Sequence, residues 1–180
     1  MLQRENQRSK VRDTDAMKLE AVSCIDSPVG TLALGATELG IAEVSILTAG
    51  QRRAEFSNSA IAQSHLAAAQ RQLFEFFKGT RNQFELPLDL SGTTFQRSVW
   101  AAIAELKSGE HLSYKGLAQA IGKPLAARAV GGALGSNPVP IIIGCHRVLG
   151  AAGRLTGYSG GGGLETKKWL LDFEGIEYTP

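Results

Sequence analysis

The chain has 180 residues, 43% hydrophobic and 20% charged, the composition of a globular protein with one domain or two small ones. It holds no run of about 18 apolar residues, and its first twenty residues (MLQRENQRSKVRDTDAMKLE) lack an apolar signal core, so neither membrane spanning nor secretion is expected. Residues 93–180 carry nine basic and six acidic side chains, a slight excess that suits a phosphate-facing surface.

Residues 1–16 mix charges of both signs without apolar periodicity and are expected to form a flexible extension. From Leu19 short β-like runs follow: LEAVSCI, a turn at Ser27-Pro28-Val29-Gly30, TLALGAT, and GIAEVSI after Leu39-Gly40. They predict a three-stranded antiparallel meander. Leu66, Ala69, Leu73, Phe76 and Phe77 then recur at helical spacing, closed by Lys78-Gly79, so a helix is expected to cover that sheet. Asn82 to Leu90 reads as extended and is interrupted by Pro87, and Ser91-Gly92-Thr93 reads as a linker. The division is therefore 17–92 for an N-terminal subdomain and 93–180 for a C-terminal one.

The second part opens with Thr93 or Thr94 as a helix cap, with Phe95, Val99, Ile103 and Leu106 on one face and Ser108-Gly109 as the stop. A helix from Tyr114 to Ile121, a break at Gly122-Lys123-Pro124 and a helical run through Leu125, Ala129 and Val130 follow. That pattern fits a helix-turn-helix, and equally two packed helices of an all-α domain. The second helix (Ala126, Ala127, Arg128, Ala129, Gly131, Gly132, Ala133) carries almost no bulk except one Arg. Such a surface suits close approach, either to another helix or to a DNA groove into which Arg128 projects.

Cys24 and Cys145 make no disulfide framework and are expected as free thiols in a cytoplasmic protein, nucleoid-associated in a prokaryote or nuclear in a eukaryote. Cys145 follows the apolar, strand-like run Ile141-Ile142-Ile143-Gly144 and precedes His146-Arg147. A cysteine is by default a core residue. An adjacent imidazole and guanidinium argue for an activated thiol, because a thiol near its ordinary pKa of about 8.5 needs a base or a cationic field. On a regular strand neighbours point to opposite faces, so the imidazole would act through a water.

From Thr94 to about Gly175 the chain resembles the O6-alkylguanine-DNA alkyltransferase family, through TFQRSVW, SYKGLAQAIGKPLAARAVGGALGSNPVPI, CHRV, GYSGG and KKWLLDFEG. The resemblance implies an α+β protein: a small N-terminal ribonuclease-H-like antiparallel sheet with a helix, and a mostly helical C-terminal domain with a winged helix-turn-helix and an active-site cysteine. The implied activity is stoichiometric, suicidal transfer of the alkyl group from O6-alkylguanine, and O4-alkylthymine, to Cys145. By resemblance His146 is the base acting through water and Glu174 orients it. Asn137 braces the turn before the active-site segment, and Tyr114 protonates the leaving purine at N3. Read alone, Glu174 could be a helix end, Asn137 an ordinary Asn-Pro turn and Tyr114 a helix-start aromatic.

The resemblance further implies base flipping through the minor groove, with Arg128 filling the gap. Ala127, Ala129, Gly131, Thr94, Gln96, Ser113 and Lys123 are then DNA contacts. Leu134, Pro140, Val148, Tyr158, Ser159 and Gly160 are expected around the flipped base, with the carbonyls of Cys145 and Val148 receiving its amine and the Ser159 N–H facing O6. The implied partner is double-stranded DNA carrying O6-alkylguanine, bound by a monomer, with cooperativity on DNA left open. No cofactor is expected. Nor is the zinc that some relatives carry, because only Cys24, His65, His111 and His146 are at hand.

One departure is Gly144, where the family has Pro. The expectation is a looser, slower site that Gly144→Pro would speed up. Two rival readings are a lesion-binding module disabled by Gly144, and a regulator that uses the helix-turn-helix to prefer one DNA sequence.

Overall fold

The computed structural model describes residues 18–48 and 50–180, so the extension expected over 1–16 lies outside the described residues. Strands β1 (Ala21–Ser27), β2 (Gly30–Thr37) and β3 (Gly40–Ile46) form the meander, with Ser27 opposite Gly30 and Thr37 opposite Gly40. A short fourth strand, β4 (Phe56–Ser57), pairs with β1, giving the order β3-β2-β1-β4. Two residues are too few to show alternation, so the sequence pattern could not reveal it.

Helix α1 (Ala60–Phe77) is capped by the Ser59 side chain and ends at Lys78, with Gly79 at φ +71°. Its Leu66, Ala69, Leu73 and Phe76 are fully buried against the sheet. The run around Pro87 lies beside β3: Ile41 N–H donates to the Pro87 carbonyl and Asp89 N–H to the Ile41 carbonyl. Pro87, without an N–H, sits where only its acceptor is used.

In the C-terminal part the cap of α2 (Thr94–Ala104) is Thr93, in a reciprocal box with Gln96. This helix stops short of Leu106, and its buried face is Val99, Trp100 and Ile103. The two-residue strand β5 (Leu112–Ser113) leads into α3 (Tyr114–Ala120). Pro124 then makes a turn, closed by Ala126 N–H to the Lys123 carbonyl, so α4 starts at Ala127 and runs to Gly135. Leu125 therefore precedes the helix and is 99% exposed.

The apolar run 141–143 is not a strand. Ile141 has φ +75°, and Cys145–Arg147 forms a single 3-10 turn. Strand β6 (Val148–Leu149) then pairs in parallel with β5, and α5 (Leu164–Glu174) closes the fold at Gly175, φ +69°. The two parts share one core, in which Phe76 of α1 meets Phe173 of α5 at 5.4 Å between ring centroids. Among the described residues no helix is long and apolar enough to cross a membrane.

Candidate active site

Asn137 fixes the backbone that carries the thiol. Its Nδ2 donates to the Ile143 carbonyl at 2.9 Å and its Oδ1 accepts from Val139 N–H at 3.0 Å. These bonds close the chain over Ile141, whose positive φ costs a β-branched residue about 1–3 kcal/mol and persists only where surrounding contacts enforce it. The 3-10 turn replaces the strand geometry expected from sequence, so Cys145 and His146 follow one another around a tight turn rather than on opposite faces of a sheet.

Cys145 is 8% exposed at the wall of a cavity of about 420 Å³. Burial pushes its thiol pKa up; a hydrogen bond from Asn137, the charge of Lys167 and backbone hydrogen bonds pull it down without offsetting burial. The resting group is thus a thiol that needs a base. His146 is fully buried, with Nε2 at 2.8 Å from Glu174 Oε1. Burial lowers the imidazole pKa and the carboxylate only partly restores it, so the ring is neutral. Because Nε2 faces a carboxylate it carries the proton, which leaves Nδ1 as the acceptor. That Nδ1 is buried and has no hydrogen-bond partner among the described residues.

Glu174 also accepts from Arg147 Nε at 2.8 Å and Nη2 at 2.9 Å. Burial raises the carboxyl pKa, but the hydrogen bonds and charges of His146 and Arg147 win and hold it at about 2. A second buried cation, Lys167, donates to the carbonyls of Val148 and Thr156 at 2.6 Å each and to that of Gly157 at 3.2 Å. Burial lowers its pKa to about 8, so it remains mostly an ammonium at neutral pH.

Sequence reasoning singled out Arg147 only as a cation beside the thiol, not as the partner of Glu174, and missed Lys167 altogether. A signal for Lys167 existed: it shares the i, i+3, i+4, i+7 face of α5 with Leu170, Leu171 and Glu174. The N-terminal residues Val44, Ser45 and Ile46, which also line the cavity, had no local signal.

Of the expected pocket residues, Leu134, Pro140, Tyr158, Ser159 and Gly160 line the cavity, as do Tyr114, Gly131 and Asn137. Val148 does not: its side chain is fully buried in the core and its carbonyl takes the Lys167 bond. The Tyr114 hydroxyl makes a long contact of 3.4 Å to the Thr156 carbonyl, and burial keeps the phenol protonated. Tyr158 is likewise raised, by burial and then by the nearby Cys145, and its hydroxyl has no partner among the described residues.

The expected DNA contacts divide. Arg128 and Ala129 are exposed on α4, with Gly132 and Gly135 beside them, Ala127 and Gly131 are half-buried, and Thr94 and Lys123 are exposed. Gln96 and Ser113 are instead occupied in capping: the Gln96 amide accepts from Thr93 N–H and donates to Ser136 Oγ, both at 2.8 Å, and Ser113 Oγ accepts from Gly116 N–H at 2.9 Å.

Gly144 stands at the N-cap of the 3-10 turn. Its φ of −69° is one that Pro would impose, so the backbone is not displaced by the glycine. What the glycine supplies is room: a Cβ there would lie 2.9 Å from the guanidinium of Arg147.

Comparison with known proteins matches both halves. Residues 22–90 fit a family described as 6-O-methylguanine DNA methyltransferase, ribonuclease-like domain, and residues 94–176 its DNA binding domain. The methylated-DNA–protein-cysteine methyltransferase of Methanosarcina barkeri is 44% identical over 151 residues, covering 83% of this chain and 94% of that one. The protein of the same name from Mycobacterium tuberculosis is 43% identical over 152 residues, 83% of this chain and 89% of its own. The crystal structure of Mycobacterium tuberculosis OGT in complex with DNA superposes with a TM-score of 0.72 at 42% identity, covering 84% of this chain and 90% of that chain.

Proposed function

The chain belongs to the 6-O-methylguanine DNA methyltransferase family of DNA-repair alkyltransferases, and from that premise we propose that it repairs duplex DNA by moving the alkyl group of O6-alkylguanine onto Cys145, once per molecule. The observation that carries the assignment of the acceptor is the buried chain of groups behind Cys145: a neutral His146 whose Nδ1 is an unmet acceptor, fixed through Nε2 by an ionised Glu174.

The thiol proton passes through a water to His146 Nδ1 as the sulfur attacks the alkyl carbon. The C–O bond breaks, its electron pair moves into the purine, and the Tyr114 phenol supplies a proton to the base. Glu174 stabilises the imidazolium, in the way a triad carboxylate does. Lys167 places a positive charge near the developing thiolate, and its bonds to the Val148, Thr156 and Gly157 carbonyls tie the segment after the cysteine to the loop before Tyr158. The product thioether has no leaving group for turnover.

A base inside a duplex cannot reach a thiol that is 8% exposed, so the nucleotide must leave the stack. The small outward side chains of α4 support minor-groove approach, and the exposed Arg128 supports filling the vacated position. Intact mass after incubation with duplex containing O6-methylguanine tests the reading. One CH2 gained per chain, absent in Cys145→Ala, is expected; an unchanged mass in the wild type would overturn it.

A further inference from the structure

Resting on the alkyl-transfer reading, we infer that Ile46, a residue of the N-terminal sheet, sets how wide an adduct the Cys145 cavity admits. β3 is the edge strand of its sheet, and it is fixed on both sides. Its register to β2 runs out to Leu32 opposite Ile46, and Leu47 N–H continues to the Thr31 carbonyl at 2.8 Å. On its other side Val44 N–H donates to the Pro138 carbonyl at 2.8 Å, inside the turn that Asn137 braces. The end of β3 is thus tied directly to the backbone leading to the nucleophile.

Ile46 is 9% exposed and helps line the cavity. Its side chain also supports the loop after Tyr158. A Cβ added to Gly161 would come within 2.8 Å of Ile46 Cγ2, and one added to Gly160 within 3.3 Å of Ile46 Cδ1. The loop backbone therefore lies directly on this side chain. Gly161, at φ +52°, is a position where a side chain would be strained as well as blocked.

A glycine-rich loop can shift, whereas a strand hydrogen-bonded along both edges cannot move without breaking its ladder. The firm boundary on this side of the cavity is the Ile46 side chain, and the loop takes its height from it. Shortening Ile46 widens the cavity and lets Gly160–Gly161 settle differently, which favours a bulky alkyl group over a methyl.

The test compares single-turnover transfer from O6-benzylguanine and O6-methylguanine, as free bases, to the wild type, Ile46→Val and Ile46→Ala. Discrimination by one methylene in an apolar pocket is about 10–200-fold, so the benzyl-to-methyl rate ratio should rise by at least about tenfold in Ile46→Ala and in the same direction in Ile46→Val. Ile46→Val carries the test if the alanine variant does not fold. A ratio unchanged in the folded variants, with the wild type active, overturns the role of Ile46. A wild type that transfers neither group from the free bases nor a methyl group from duplex O6-methylguanine overturns the alkyl-transfer reading instead.

Discussion

His146 and Glu174 meet through a 2.8 Å contact between Nε2 and Oε1, and neither side chain has any solvent exposure. Arg147 binds both oxygens of the same carboxylate, donating from Nε to Oε2 and from Nη2 to Oε1. A buried carboxylate with this many donors is ionised, and it dictates which imidazole nitrogen keeps the proton.

This arrangement makes stability depend on acid. Glu174 has a folded pKa of about 2 against an ordinary 4.5, so its contribution is complete above about 4.5 and is lost as the pH falls through about 2. The shift corresponds to roughly 3 kcal/mol. In urea unfolding across pH, Glu174→Gln should be less stable than the wild type at neutral pH, and the gap should close between about pH 4.5 and 2. A gap independent of pH would show that the carboxylate charge is not what Arg147 and His146 hold.

Lys167 is fully buried with three carbonyl acceptors. Lys167→Met keeps the volume but leaves buried carbonyls unmet, at about 1–3 kcal/mol for each. Because the substitution also removes the cost of burying an ammonium, we predict a net loss of roughly 2–4 kcal/mol in chemical denaturation and at least about tenfold in transfer rate. A variant of wild-type stability would mean that water replaces the ammonium freely.

Gly144→Pro should lower stability by about 1–3 kcal/mol and slow transfer, because the added ring carbons meet a guanidinium already committed to Glu174 and to the Leu106 carbonyl. Urea midpoints and single-turnover rates measure both effects. A faster variant would restore the expectation that glycine merely loosens the segment.

Arg128 is exposed on the small-residue face of α4. Arg128→Ala should slow repair of duplex by about 10- to 100-fold while leaving reaction with free O6-alkylguanine near wild type, since only the duplex carries an unstacking cost of a few kcal/mol. Equal losses on both substrates would assign Arg128 to the fold rather than to DNA.

Much of the architecture was legible because local signals agreed. The apolar spacing of Leu66 to Phe76 with Lys78-Gly79 marks the body of α1 and its C-terminal end, and the turn residues mark the meander. The motif around Cys145 points to the chemistry. The strand expected at Ile141–Ile143 fails because Asn137 closes the backbone into a turn, an interaction that apolar content does not report. Leu125 was read into a helix because apolar spacing outweighed Pro124, whose fixed φ starts a turn instead. The partners of Arg147 and the whole role of Lys167 were not legible because charged side chains are usually solvated; their burial follows from carbonyls and a carboxylate supplied by segments distant in sequence.

The most direct test of the relay is the pH dependence of single-turnover methyl transfer in the wild type and His146→Ala. With a buried imidazole whose pKa is lowered, the wild-type rate should be flat at neutral pH and above, and fall only at pH values below the ordinary imidazole range. His146→Ala should be slower by at least about 100-fold, with a rate that climbs with pH as the unaided thiol ionises. A His146→Ala protein that transfers the methyl group at the wild-type rate with the wild-type profile would contradict the account.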